Sequence, residues 1–312
     1  MEKAPFFADV ADGPDGGVAH WLTTGDGLRI RAGYWPQDGA KGTVLLFTGR
    51  TEFIEKYGRI AREIAARGYA MAAVDWRGQG LSDRMADDRG LGHVEAFGDY
   101  QHDVAAFVDY ARASNLPKPF YLIAHSMGGG IGLRALIDGL PVKAAAFSAP
   151  MWGIQASLSL RSVMWGVTTL SRRFNLDGNI TPGQTSDITL GETPFAENEL
   201  TNDPEMYAYM QEQVRKYPDL GLGGPSLRWV NEALWETRRL AALPAPPTPA
   251  ITFLGTDETI VDPDRIKTKM AQWSNGTLTV IPGGKHEMMM ESPAIKDPIL
   301  DAIAAHFNAH PA

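Results

Sequence analysis

The chain has 312 residues, 44% hydrophobic and 21% charged, enough for a sizeable core in one large domain or two small ones. Lys and Arg number 29 against 37 Asp and Glu, a net charge of −8 with no basic cluster, so nucleic acid is not an expected partner. With no cysteine, disulfides, a thiolate nucleophile and cysteine metal sites are excluded.

The opening "MEKAPFFADVADGPDGG" lacks the apolar core of a secretion signal, and no apolar run is long enough to span a membrane. The expected location is therefore cytoplasmic. "VAHWLTT" and "LRIRAGYW" flank the turn "GDG" and predict a hairpin. "TVLLF" (43–47) reads as a strand buried on both faces, "KYGRIAREIAARG" as a helix ending at Gly68, and "YAMAAVD" as the next strand. In "DYQHDVAAFVDYARA", Tyr100, Val104, Phe107, Val108 and Ala111 repeat at helical spacing and mark one core face. "PFYLIA" is a strand followed by a helix opening at Met127, and "KAAAFSA" (143–149) is another strand. Such β-α-β units imply a mainly parallel sheet with helices on both faces.

The rhythm breaks at Pro150. Residues 151–240 contain helical stretches and four of the eight tryptophans, and the Pro-rich link "LPAPPTPA" follows them. They predict a helical cap inserted between two core parts, 1–150 and 241–312. Trp152, Trp165, Trp229 and Trp235 would form the cap's own core or line an acyl pocket. The β/α alternation then resumes with "AITFLG", "PDRIKTKMAQW" and "TLTVI", and a C-terminal helix carries Ile295, Ile299, Ile303 and Phe307 on one face.

"YLIAHSMGGGIGL" (121–133) carries the chemistry. It has the shape of a nucleophile elbow, Gly-x-Ser-x-Gly, with Ala124 in place of the first glycine. An elbow holds serine on a tight strand-to-helix turn, and small flanking residues let the strand and helix pass closely. Ser126 is the candidate nucleophile, which needs a base to take its proton. His286 is the candidate base because "PGGKHE" follows the last strand, where a loop can aim at the elbow. The orienting acid is expected in "FLGTDETIVDP", as Asp257, Glu258 or Asp262. Oxyanion donors are expected at the backbone N–H of Met127 and in the loop "FTGRTE", at Gly49 or Arg50. "DWRGQGLSDR" lacks the spacing of a phosphate loop and reads as a structural turn. No motif requires a metal or cofactor.

These stretches together resemble the α/β-hydrolase superfamily, and more narrowly the bacterial lysophospholipases and monoacylglycerol lipases. The likeness rests on "TGRTEFIEKYGRIAREIAARGYAMAAVDWRGQGLSDR", "GHVEAFGDYQHDV", "YLIAHSMGGGIGL", "GGPSLRWVNEAL", "GTDETIVDP" and "PGGKHEMMMESP". In this group the elbow is often A-H-S-M-G-G, which accommodates Ala124. The resemblance implies an α/β-hydrolase fold with a helical cap and a triad of Ser126, Glu258 and His286. Glu258 stands three residues after Gly255 and four before Asp262, where the family motif has its acid. It also implies Arg50 and Met127 as oxyanion donors. Thr48 and Glu52 bring the chain nearer the lysophospholipases than the monoacylglycerol lipases. The implied activity is hydrolysis of single-acyl-chain lipid esters by a lysophospholipase, without cofactors. Alternatives are a monoacylglycerol lipase, a short-chain carboxylesterase, or a non-catalytic binding protein on the same fold. The expected partners are a small-molecule ester or lysolipid and, transiently, a membrane surface touched by the cap, which would place the protein peripherally at the inner membrane.

Overall fold

The computed structural model describes residues 1–311. A short N-terminal strand β1 (Lys3–Ala4) and a single helical turn α1 (Ala8–Ala11) precede the hairpin β2 (Val18–Thr23) and β3 (Arg29–Trp35). Then come β4 (Thr43–Phe47), α2 (Gly58–Ala66), β5 (Ala70–Asp75), α3 (Tyr100–Ala113), β6 (Phe120–His125), α4 (Met127–Ile137) and β7 (Ala145–Ser148). Three helices follow without a strand: α5 (Leu158–Arg173), α6 (Pro204–Lys216) and α7 (Leu227–Ala242). The chain ends with β8 (Ala250–Gly255), α8 (Pro263–Ala271), β9 (Gly276–Ile281) and α9 (Pro293–Asn308).

The strands form one sheet in the order β1-β2-β3-β5-β4-β6-β7-β8-β9. Strands β1, β2, β3 and β5 pair antiparallel in succession, and all pairs from β5 to β9 are parallel. This is the α/β-hydrolase fold. Every residue of β4, β5, β6 and β7 is buried, which accounts for their unbroken apolar runs; helices cover both faces. The alternation in α3 likewise buries Tyr100, Val104, Phe107, Val108 and Ala111, as the spacing predicts.

Sequence reasoning did not read β1 and α1. Four residues are too few to show a helical period. Tertiary contacts hold that turn instead: Tyr209 Oη donates to the Ala11 carbonyl and Gln213 Nε2 to that of Val10, both from α6.

Strand register positions the site. Phe47 at the end of β4 pairs with Ala124 of β6, so the loop after β4 and the elbow after β6 leave the sheet side by side. Gly255 of β8 pairs with Ile281 of β9, bringing the two following loops together as well. A Cβ at Gly255 would lie 2.0 Å from the Gly284 carbonyl oxygen, so this approach needs glycine. Ligands in open parallel sheets bind at these carboxyl ends.

Candidate active site

Ser126 sits between β6 and α4 with φ 51° and ψ −119°. A side chain in such a left-handed conformation costs about 1–3 kcal/mol and persists only when its surroundings impose it. The Ser126 N–H donates to the Ser148 carbonyl, and its own carbonyl accepts from Gly129 and Met151. Gly128 permits the turn, because a Cβ there would meet the Phe47 carbonyl oxygen at 2.3 Å. The methyl of Ala124 fits because Gly132 stands opposite; a Cβ on Gly132 would come within 3.3 Å of it. The missing first glycine is thus compensated eight residues later, by Gly132 of α4.

The three candidate side chains meet although they come from distant segments. His286 Nε2 is 2.9 Å from Ser126 Oγ, and His286 Nδ1 is 2.8 Å from Glu258 Oε2. The other Glu258 oxygen accepts from the backbone N–H groups of Ile260 and Val261, at 2.7 and 3.1 Å. Burial opposes its negative charge, but His286 and the two N–H donors prevail and hold the carboxyl below the usual glutamate range. Asp257 is exposed and accepts only from Thr256. Asp262 caps α8 and pairs with Arg161 of α5. Of the three acids in this loop, only Glu258 reaches the histidine.

The loop after β4 separates the two oxyanion candidates. The Gly49 N–H is taken by Glu52 Oε2. The loop then turns through Thr51 at φ 65°. Gln79 braces it, donating to the Gly49 carbonyl at 2.7 Å and accepting from the Thr51 N–H at 3.3 Å. The turn "DWRGQGLSDR" is therefore structural, but it supports the site directly. Met127 opens α4, so its N–H is among the four that a helix leaves without an internal acceptor. A cavity of about 300 Å³ reaches Ser126 and His286 and is lined by Met151, Ile154, Leu200, Met210, Trp229 and Val261, among others.

Residues 38–293 match the family described as serine aminopeptidase, S33. The chain belongs to this α/β-hydrolase family. Lysophospholipase L2 of Escherichia coli strain K12 is 31% identical over 281 residues, covering 86% of this chain and 80% of that protein. A soluble variant of monoglyceride lipase from Saccharomyces cerevisiae, solved with a substrate analog, superposes with a TM-score of 0.72 at 19% identity, over 94% of this chain and 97% of its own. A thermostable carboxyl esterase from Bacillus coagulans gives 0.74 at 14% identity, over 95% and 99%. These two share the fold.

In this hydrolase, a buried polar cluster near the serine joins Glu52, Lys56, Tyr57, His125 and Glu287, none of which the sequence marked as meeting. Lys56 Nζ lies 2.5 Å from Oε1 of both Glu52 and Glu287. Tyr57 Oη donates to Glu52 at 2.6 Å. His125, next to the nucleophile, points away from it: Nδ1 donates to the Ser148 carbonyl, and Nε2 lies 3.3 Å from Glu287 without hydrogen-bond alignment. Burial works against its charge, but the two glutamates outweigh that and raise its pKa. Glu52, His125 and Glu287 are close enough to hold a metal ion, but the Lys56 ammonium lies between the carboxylates and supplies the cation. Their positions in sequence, 52, 56, 125 and 287, give no periodicity from which the cluster could be read.

Of the four cap tryptophans, only Trp229 lines this cavity. Trp152 packs on Phe147 and Trp273, and Trp165 packs edge-on against Trp235. Trp152 thus belongs to the core of the sheet, which neither sequence reading anticipates, while Trp165 and Trp235 pack on each other within the inserted segment.

Proposed function

We propose that this protein hydrolyses the carboxylic ester of a lysophospholipid, with Ser126 as nucleophile, His286 as general base and Glu258 as its orienting acid. The observation that carries the proposal is the hydrogen-bonded chain from Ser126 through His286 to Glu258, opening into an apolar cavity. Ser126 Oγ attacks the acyl carbonyl as its proton passes to His286 Nε2. The N–H groups of Met127 and Arg50 stabilise the oxyanion. Collapse breaks the ester bond, and His286 protonates the departing glycerol oxygen. Water, deprotonated by His286, then cleaves the acyl-enzyme to release the fatty acid and restore Ser126.

The relatives' names support a lipid ester over a peptide. An aminopeptidase needs a free carboxylate for the substrate's ammonium, whereas Glu52 and Glu287 in this cavity are both engaged by Lys56. We further take residues 151–240 as a cap that meets lipid surfaces. Along α5 and just beyond it, Leu160, Val163, Val167, Leu170 and Phe174 are all exposed at helical spacing, an apolar stripe. Among the described residues no helix is long and apolar enough to cross a membrane, so such contact would be peripheral. Hydrolysis of a panel of lysophospholipids, monoacylglycerols and short esters tests the reading. Wild type is expected to cleave lysophospholipid, and Ser126→Ala to lose at least about a thousandfold in kcat. Normal turnover by Ser126→Ala would refute the mechanism; activity confined to short esters would refute the substrate.

A further inference from the structure

We propose that the Arg50 guanidinium binds the phosphodiester of the substrate head group and so selects lysophospholipids over uncharged monoacylglycerols. The inference rests on the lysophospholipase reading above and adds a specificity determinant to it.

Half-buried Arg50 differs from the buried Arg31 and Arg77 and from the half-buried Arg84. Arg31 is clamped by Glu55 and Asp75, each at 2.7 Å. Arg77 is held by Asp26 and Asp103, each at 2.8 Å. Arg84 donates to three carbonyls, those of Gly80, Ser82 and Arg89. Arg50 donates only from Nη2, to the Gly223 carbonyl at 2.7 Å, and its guanidinium stacks 5.1 Å from the Trp229 ring. Its Nε is buried without an acceptor. Burial pulls its pKa down to about 10, opposed only by Tyr100, so it remains charged at neutral pH without a carboxylate partner. A half-buried cation in this state lacks an anion, and a guanidinium fork matches phosphate oxygens.

Its place fits the substrate. Arg50 and Thr51 line both the apolar cavity at Ser126 and a neighbouring cavity, also about 300 Å³, that contains Gln184, Thr185, Asn198 and the carboxylates Glu197 and Glu199. With the acyl chain in the first cavity and the ester at Ser126, the head group extends toward the second. The Arg50 side chain stands between them.

The test compares kcat/KM for palmitoyl lysophosphatidylcholine and monopalmitoylglycerol in wild type, Arg50→Gln and Arg50→Lys. Every substitution keeps the backbone N–H. Arg50→Gln is expected to lower the lysophospholipid-to-monoacylglycerol ratio by about 10–100-fold, the range for a charge-assisted hydrogen bond. Arg50→Lys, with a charge but no fork, should fall between. An unchanged ratio would overturn the proposal. A second measurement uses wild type alone: glycerophosphocholine should compete against hydrolysis of a p-nitrophenyl ester, and glycerol at equal concentration should not. Equal effects of the two, or none, would also overturn it. If wild type cleaves the p-nitrophenyl ester through Ser126 but not lysophosphatidylcholine, the substrate reading fails, and the competition result decides head-group binding separately.

Discussion

Glu258→Gln probes the acid of the site with almost no change in shape. In wild type one carboxylate oxygen accepts two backbone N–H groups and the other accepts from His286 Nδ1. A glutamine can keep its oxygen on the Ile260 and Val261 donors, which turns its NH₂ toward Nδ1. His286 must then carry its proton on Nε2, facing Ser126, and cannot accept the serine proton. The opposite amide orientation sets NH₂ against two backbone donors and leaves both unsatisfied, at about 1–3 kcal/mol each. The backbone therefore selects the inactive tautomer. The expected loss is about 10⁴ in kcat, or about 5.5 kcal/mol, as for an acid-to-amide change in other triads. Steady-state hydrolysis of a p-nitrophenyl ester measures it, with a thermal melt to show that the variant is folded. Asp257→Asn, at the exposed neighbour, is expected to stay within about threefold of wild type, since surface changes away from such networks are small. Activity of Glu258→Gln within tenfold of wild type, or a larger loss in Asp257→Asn, would refute the assignment.

Two further outcomes concern stability. Lys56→Met leaves Glu52 and Glu287 buried without their shared cation, and is expected to cost about 3–5 kcal/mol in urea denaturation at neutral pH. The cost should ease in acid, because protonating one carboxylate relieves the repulsion; a neutral effect at pH 7 would mean that the cluster does not carry charge. For Glu258, the folded pKa lies below the ordinary 4.5. Its ionisation therefore stabilises the fold fully above that value and ceases to do so as pH falls through the lower folded one. The stability gap between wild type and Glu258→Gln should accordingly narrow from about pH 7 to about pH 3, and a constant gap would contradict the shift.

Much of the architecture was legible because it is local. A run such as "TVLLF" needs burial on both faces, and Tyr100 to Ala111 needs one buried helical face, whatever lies beyond. The small residues around Ser126 likewise express a steric demand within a few positions, although the fit of Ala124 against Gly132 appeared only in three dimensions. The sequence could also place His286 in a strand-end loop, because parallel strands deliver such loops to one edge.

By itself, then, the sequence determined the strand-helix order from β2 onward, the elbow and a short set of candidates for each role. Tertiary structure brings some of them together and leaves others apart. Glu258 rather than Asp257 or Asp262 reaches the histidine, and Glu52 occupies the Gly49 N–H while Gln79 braces the loop beyond it. It also created groups that no motif announced: Lys56 joined to Glu287 across 231 positions, and Arg50 stacked on Trp229 without a carboxylate. The reason is physical. Periodicity records which side of an element is buried, whereas charge pairing and an unpaired cation depend on which distant side chains meet inside a low-dielectric core.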